Sequence, residues 1–331
     1  MSFAVWNYSN PYGAIVRIRM KNMMKVTTRR SFGRLFSALA LAAALALPTG
    51  LAKADRPYKV VATTGMLADL IREIGGEHVA VTGLMGPGVD PHAYRQTRSD
   101  IVAMTSADLV VWHGLYLEAQ LEEFLLELGE TKPVVALGET VDQAQLLAHD
   151  DYEGRFDPHV WMNPRLWQQV AAGAVATLSE QFPEHADSFA AAGETYKAEL
   201  DRLAVFAETA LATVPENQRV LITAHDAFNY FGDAYGFEVV GIQGISTESE
   251  AGLRRIEELV ERLVTDQVGA VFVESSVSDR NIRALIEGAE ARGHQVSIGG
   301  ELFSDAMGAE GTYEGTYIGM IDHNTTAITQ A

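Results

Sequence analysis

Two tripeptides of identical sequence, Asp90-Pro91-His92 and Asp157-Pro158-His159, carry two of the nine histidines in this chain. Imidazole is the commonest side-chain metal ligand, so its repeated presentation points first to ion binding. Proline fixes its own φ and biases the residue before it toward extended backbone. Each histidine is therefore offered from a stiff loop and loses little entropy on ligation. Turn chemistry surrounds both, with Gly86-Pro87-Gly88-Val89 before the first and Asn163-Pro164 after the second. The preceding aspartate can also accept the other imidazole N–H and orient the ring. Either tripeptide alone reads more readily as a surface turn.

Two further residues are candidates. His225 stands just past the apolar run Arg219–Thr223, where a strand end in an α/β domain presents ligand-binding groups. Its competing reading is a helix N-terminus in which Asp226 serves the dipole and His225 is merely adjacent. Asp305 follows a short strand in the glycine-rich stretch Gly299 to Gly308, and taken alone it is an ordinary loop residue. His78, His113, His149, His185, His294 and His323 share no context and read as solvated or hydrogen-bonded side chains. His149-Asp150-Asp151 could form an acidic lip beside His159. The chain has no cysteine, so thiolate sites, disulfides and cysteine catalysis are excluded. Neither a G-x-S-x-G elbow nor a Walker loop is present.

The elements that must position these residues alternate along the chain, the signature of an α/β fold with mainly parallel sheets. In the first half, strands are expected at Val60–Thr63, Val79–Leu84, Leu109–Trp112 and Val134–Leu137, with helices at Met66–Ile74, Arg98–Ser106 and Glu118–Leu128. The second half repeats the rhythm, with strands at Val220–Thr223, Glu238–Ile242 and Ala270–Val273 and helices at Ala227–Tyr235, Glu250–Val264 and Asp279–Ala291. Between the halves, residues 184–214 hold a three-to-four-residue apolar spacing through Phe189, Tyr196, Leu200, Leu203 and Phe206. That spacing predicts one long helix joining two α/β lobes, residues 55–183 and 215–331. A rigid bridge of this kind permits only modest closure around a ligand held between the lobes.

Of the 331 residues, 47% are hydrophobic and 21% charged, as in ordinary globular proteins. Residues 1–54 read as an N-terminal extension and cleavable export signal. Arg29, Arg30 and Arg34 precede the apolar run Leu35 to Leu47, and Ala52-Lys53-Ala54 supplies a cleavage pattern. Thr28-Arg29-Arg30-Ser31-Phe32 also fits a twin-arginine signal, leaving the general and twin-arginine export routes both open. This segment holds eight Lys/Arg and no Asp/Glu, so its removal takes the net charge from −19 to −27. Such a surface repels phosphate backbones and excludes nucleic acid as a partner.

Taken in order, Gly88-Val89-Asp90-Pro91-His92, Phe156-Asp157-Pro158-His159-Val160-Trp161, Ile222-Thr223-Ala224-His225-Asp226-Ala227-Phe228, Gly244-Ile245-Ser246-Thr247, Val273-Glu274-Ser275-Ser276 and Gly299 through Gly308 form a specific series. In these segments the chain resembles the TroA-like zinc/manganese solute-binding proteins of metal ABC importers, the cluster A-I receptors. The resemblance implies His92, His159, His225 and Asp305 as the metal ligands, two lobes around one long helix, and a single ion between the lobes. It assigns Glu274 polar structural contacts rather than ligation. Three imidazoles and a carboxylate suit Zn2+ better than Mg2+ or Ca2+, and Mn2+ stays open. The expected role is a non-enzymatic, monomeric periplasmic receptor without a lipid anchor, since no cysteine is available to carry one. It would hand its ion to an ABC permease driven by a cytoplasmic ATPase. Affinity should fall below about pH 6.5, the ordinary histidine value. A secreted zinc hydrolase and an adhesin-like surface protein are the competing readings.

Overall fold

The structure, a computed structural model, describes residues 56–149 and 152–331. The export segment read at 1–54 lies outside the described residues.

Four short strands, Tyr58–Ala62 (β1), Val79–Gly83 (β2), Leu109–Trp112 (β3) and Val134–Ala136 (β4), make a parallel sheet in the order β2-β1-β3-β4. Parallel neighbours require crossovers, which are supplied by Gly65–Gly75 (α1), Arg98–Ser106 (α2) and Glu122–Gly129 (α3). Side chains of β1 alternate between faces. Val60 and Ala62 join the core that contains α1, whereas Val61 joins Met104 of α2 and Leu125 of α3. Local chemistry sets the helix starts: the Thr64 hydroxyl caps α1, and Thr97 with Asp100 forms a reciprocal capping box on α2.

In the second half, Val220–Thr223 (β5) pairs with Glu238–Gly241 (β6), and Ala270–Glu274 (β7) pairs with Ser297–Leu302 (β8), all parallel. β5 also packs beside β7. Between the halves run Pro164–Gln181 (α4), which starts with an Asn163 cap and proline at its first position, and Ala186–Leu211 (α5). The remaining helices are Asn229–Tyr235 (α6), Leu253–Thr265 (α7), Arg280–Ala291 (α8) and Tyr317–Gln330 (α9).

The 26 residues of α5 span about 39 Å at the α-helical rise. Phe189, Tyr196, Leu200, Leu203, Ala207 and Leu211 bury one face of it, and it packs against α1, α4 and α9. One apolar cluster therefore runs from Val60 and Trp161 through Leu200 to Phe228, Phe272 and Tyr317, and both halves share it. The C-terminal helix strengthens this tie, because the Tyr317 backbone N–H donates to Asp69 of α1 at 2.8 Å.

Strands read from the sequence fall within two residues of those observed. The expected helix Glu118–Leu128 instead begins at Glu122, for an electrostatic reason. The fully buried Glu118 carboxylate accepts the backbone N–H groups of His113 (2.8 Å) and Gly114 (3.1 Å) and the Thr63 hydroxyl (2.6 Å). Leu115 and Tyr116 just ahead of Glu118 take positive φ, 54° and 70°, and the Leu121 N–H bonds to the Glu118 carbonyl at 2.8 Å, so residues 118–121 form a tight turn before the helix. Neither α4 nor α9 was anticipated; their apolar residues are spread among alanines, threonines and asparagine rather than set in a marked stripe.

Candidate metal centre

The loops that matter leave the carboxyl ends of parallel strands, where open α/β sheets bind ligands. His92 follows β2, His225 follows β5 and Asp305 follows β8, while His159 stands in the loop before α4. Gly241 at the end of β6 permits a close approach, since a Cβ there would meet the Asp226 backbone nitrogen at 2.5 Å. All four predicted residues converge. One ligand atom from each lies within 4.8 Å of the others, and all four side chains are buried.

Within this cluster His225 Nε2 lies 3.1 Å from Asp305 Oδ2, His159 Nε2 3.4 Å from Asp305 Oδ1, and His92 Nε2 3.3 Å from His159 Nε2. His225 Nε2 and both Asp305 oxygens are nonetheless buried without a hydrogen bond of acceptable geometry. Desolvated polar atoms left without partners cost about 1–3 kcal/mol each, and more when charged. A cation among them satisfies all of them together. The four donors, three nitrogens and a carboxylate, form a buried His3Asp site that can hold one metal ion.

The imidazoles are aimed by a surrounding layer of carboxylates. Asp157 Oδ1 accepts both the backbone N–H (2.9 Å) and the Nδ1–H (2.7 Å) of His159, and its Oδ2 accepts from Asn229 at 3.1 Å. Glu274, at the end of β7, does the same for His225, accepting its backbone N–H at 2.9 Å and its Nδ1–H. Because a carboxylate only accepts, each arrangement fixes the proton on Nδ1 and turns Nε2 toward the cluster. Asp90 differs. Its Oδ1 accepts the His92 backbone N–H (2.9 Å), but Oδ2 accepts the Thr247 hydroxyl (2.6 Å) rather than an imidazole.

The Asp305 loop is pinned from two sides. Asn324 of α9 accepts from the Phe303 N–H and donates to its carbonyl, and the Trp161 indole donates to the Ser304 carbonyl at 2.8 Å. His113 proves to be a buried support, donating from Nε2 to the Pro158 carbonyl at 2.7 Å and so bracing the second Asp-Pro-His turn. No sequence signal marked His113 or Asn324. The other histidines stay outside the cluster: His78 stacks on His185, and His294 and His323 donate to the carbonyls of Val268 and Glu301. His149 is buried against Tyr152, while Asp150 and Asp151 of the expected acidic lip lie outside the described residues.

Electrostatics divide the histidines. Burial opposes charge on His159, but Asp157 and Asp305 outweigh it and push its pKa up to about 9. Burial likewise opposes charge on His225, and Asp305 and Glu274 raise it well above the ordinary value. His92 has no carboxylate on its imidazole comparable to theirs, so burial dominates and lowers it to about 3. Burial would raise Asp305, yet the neighbouring His225 and His159 hold it well below the carboxylate range.

Comparison with known proteins places this geometry. Residues 60–331 match the family described as zinc-uptake complex component A, periplasmic. The manganese-binding lipoprotein MntA of Bacillus subtilis is 48% identical over 84% of this chain and 90% of its own length. The zinc-binding protein TroA of Treponema pallidum is 43% identical over 85% and 90%. Its solved structure superposes with a TM-score of 0.80 at 42% identity, covering 82% of this chain and 98% of that one. These relatives correct one expectation. MntA is a lipoprotein by name, as are relatives from Streptococcus parasanguinis and Streptococcus anginosus, so a receptor without a lipid anchor does not stand as the reading. Acyl chains hold such a lipoprotein to a membrane at about 0.8 kcal/mol per buried methylene.

Proposed function

Because the chain belongs to the zinc-uptake component A family, we propose that it captures one divalent cation, Zn2+ or Mn2+, through His92, His159, His225 and Asp305 and delivers it to an ABC-type metal importer. On this reading residues 55–183 and 215–331 are the two lobes, 184–214 is the bridge, and the permease and its cytoplasmic ATPase are separate chains. The observation that carries it is the buried convergence of four N/O donors, three of whose atoms have no hydrogen-bond partner. Nothing is converted. A zinc hydrolase needs an open coordination position and a free general base. Here the neighbouring carboxylates Asp157 and Glu274 are each engaged in holding a histidine, which supports capture over hydrolysis.

The donor set serves both metals suggested by the relatives. Zinc binds such ligands more tightly than manganese by intrinsic affinity, while availability decides the cellular cargo. Elemental analysis combined with zinc–manganese competition by calorimetry tests the assignment. One ion per chain is expected in wild type. His92→Ala with His159→Ala should weaken binding by more than the about 10–100-fold typical of losing an outer partner. Unchanged affinity in that double variant would overturn the ligand set.

A further inference from the structure

One segment touches the surroundings of both histidines that follow strands. Residues 244–250 lie after β6 and contain no helix or strand. At one end, the Gly244 carbonyl accepts the backbone N–H of Asp226, the residue after His225, at 3.2 Å. Further along, the Thr247 hydroxyl donates at 2.6 Å to Asp90, whose other oxygen holds the His92 backbone N–H. Next to it, Gln120 donates to Glu248 at 2.6 Å, a second link from the first half of the chain to the same loop. The loop's own shape is braced by the buried Gln243, whose amide donates to the carbonyls of Thr247 and Ser249 at 3.2 and 3.0 Å.

We propose that Thr247 is a positioning residue for the ion site: through Asp90 it straps the His92 turn to the loop that also holds the His225 segment. The inference rests on the receptor reading above and deepens it. Asp157 and Glu274 orient their histidines through Nδ1. Asp90 makes no such bond, so His92 relies on its backbone being held in place. The chain segments on either side of Asp90 are a proline and a glycine-rich turn; the turn is stiff and lies beside the Ser275 carbonyl, but among the described residues it makes no hydrogen bond to the second half. The Thr247–Asp90 bond supplies that attachment. It is a charge-assisted hydrogen bond, the stronger class. Its loss frees His92 to leave first, so the effect falls on ion release rather than on the number of ligands.

The test uses full-length wild type and Thr247→Val, loaded with zinc and mixed with excess chelator in a stopped-flow instrument. Dissociation from Thr247→Val should be faster by about tenfold, a factor that corresponds to about 1.4 kcal/mol. Thr247→Ser, which keeps the hydroxyl, should restore the wild-type rate. Cobalt(II) in place of zinc reports donor geometry directly, and its visible absorption should change in the valine variant and recover in the serine variant. Thermal unfolding of the metal-free proteins separates a positioning loss from a folding loss. Zinc release at the wild-type rate by a folded Thr247→Val, or a serine variant as impaired as the valine one, overturns the strap alone. Wild-type protein that takes up neither zinc nor manganese overturns the receptor reading and the strap with it.

Discussion

The two carboxylates behind His159 and His225 do more than decorate the site. Each accepts a backbone N–H and an Nδ1–H from the same residue, so ring orientation and the Nδ1 proton are set before an ion arrives. Asp157→Asn and Glu274→Gln keep the shape but present an amide that can also donate, which tolerates the wrong tautomer. Calorimetric zinc affinity should fall about 10–100-fold in either variant. Protonation gives a second expectation. In the metal-free site His159 and His225 hold their protons through neutral pH, whereas His92 is already neutral. An ion must displace protons from Nε2, so affinity rises with pH toward about 9 and falls as pH drops, with loss already under way at neutrality. The ordinary histidine value had placed that loss below about 6.5. Titration at pH 7 in two buffers of different ionisation enthalpy should show net proton release on zinc binding. Identical heats in both buffers would contradict it.

Among the elements, α1 and α9 are joined by a carboxylate with a titration of its own. Asp69 is buried, and burial raises its pKa to about 6 despite the Tyr317 N–H that it accepts. Its folded value thus lies above its unfolded one. Between about pH 4 and 6 the folded state holds more protons than the unfolded state, so this group's contribution declines as pH rises and stays unfavourable above 6. Two pKa units correspond to about 3 kcal/mol. Asn at this position retains an acceptor for Tyr317 and carries no charge. Denaturant unfolding of Asp69→Asn should therefore show a gain of up to about 3 kcal/mol over wild type at pH 8 and none near pH 4. A variant less stable than wild type at pH 8 would mean that the charged form is favoured by its surroundings.

For the whole molecule, the shared apolar cluster and the long α5 tie the two halves together. Residues from all three sheets share one cluster with the buried face of α5, which packs on α1, α4 and α9, so unfolding either half would wet the core of the other. Calorimetric heating of the metal-free protein should give a single transition. Zinc at 100 times its Kd should then stabilise the fold by about 2.7 kcal/mol and raise that single midpoint. Two separate transitions, or a metal-dependent shift in only one of two, would show that the halves are coupled by the ion rather than by the core.

The sequence by itself determined the residues and the rhythm. The repeated Asp-Pro-His turns and His225 past its strand are legible as candidates, because strand ends and proline turns are local features, whereas Asp305 alone reads as a loop residue and is singled out by the resemblance. The strands and the long helix are also legible, because their apolar spacing is a property of consecutive residues. Tertiary structure alone decided how these parts act together. Nothing in the local pattern distinguishes Asp90 from Asp157, yet one holds an imidazole and the other a threonine 157 residues away. Glu118 read as the start of a helix until it became the buried acceptor for Thr63, His113 and Gly114, which delays the helix to Glu122. His113 and Asn324 looked ordinary because their partners, the Pro158 carbonyl and the Phe303 backbone, are distant in the chain. Residue type and spacing offer candidate donors, and the family resemblance selects among them. Only long-range packing fixes their protons, their pKa values and the distance at which they meet.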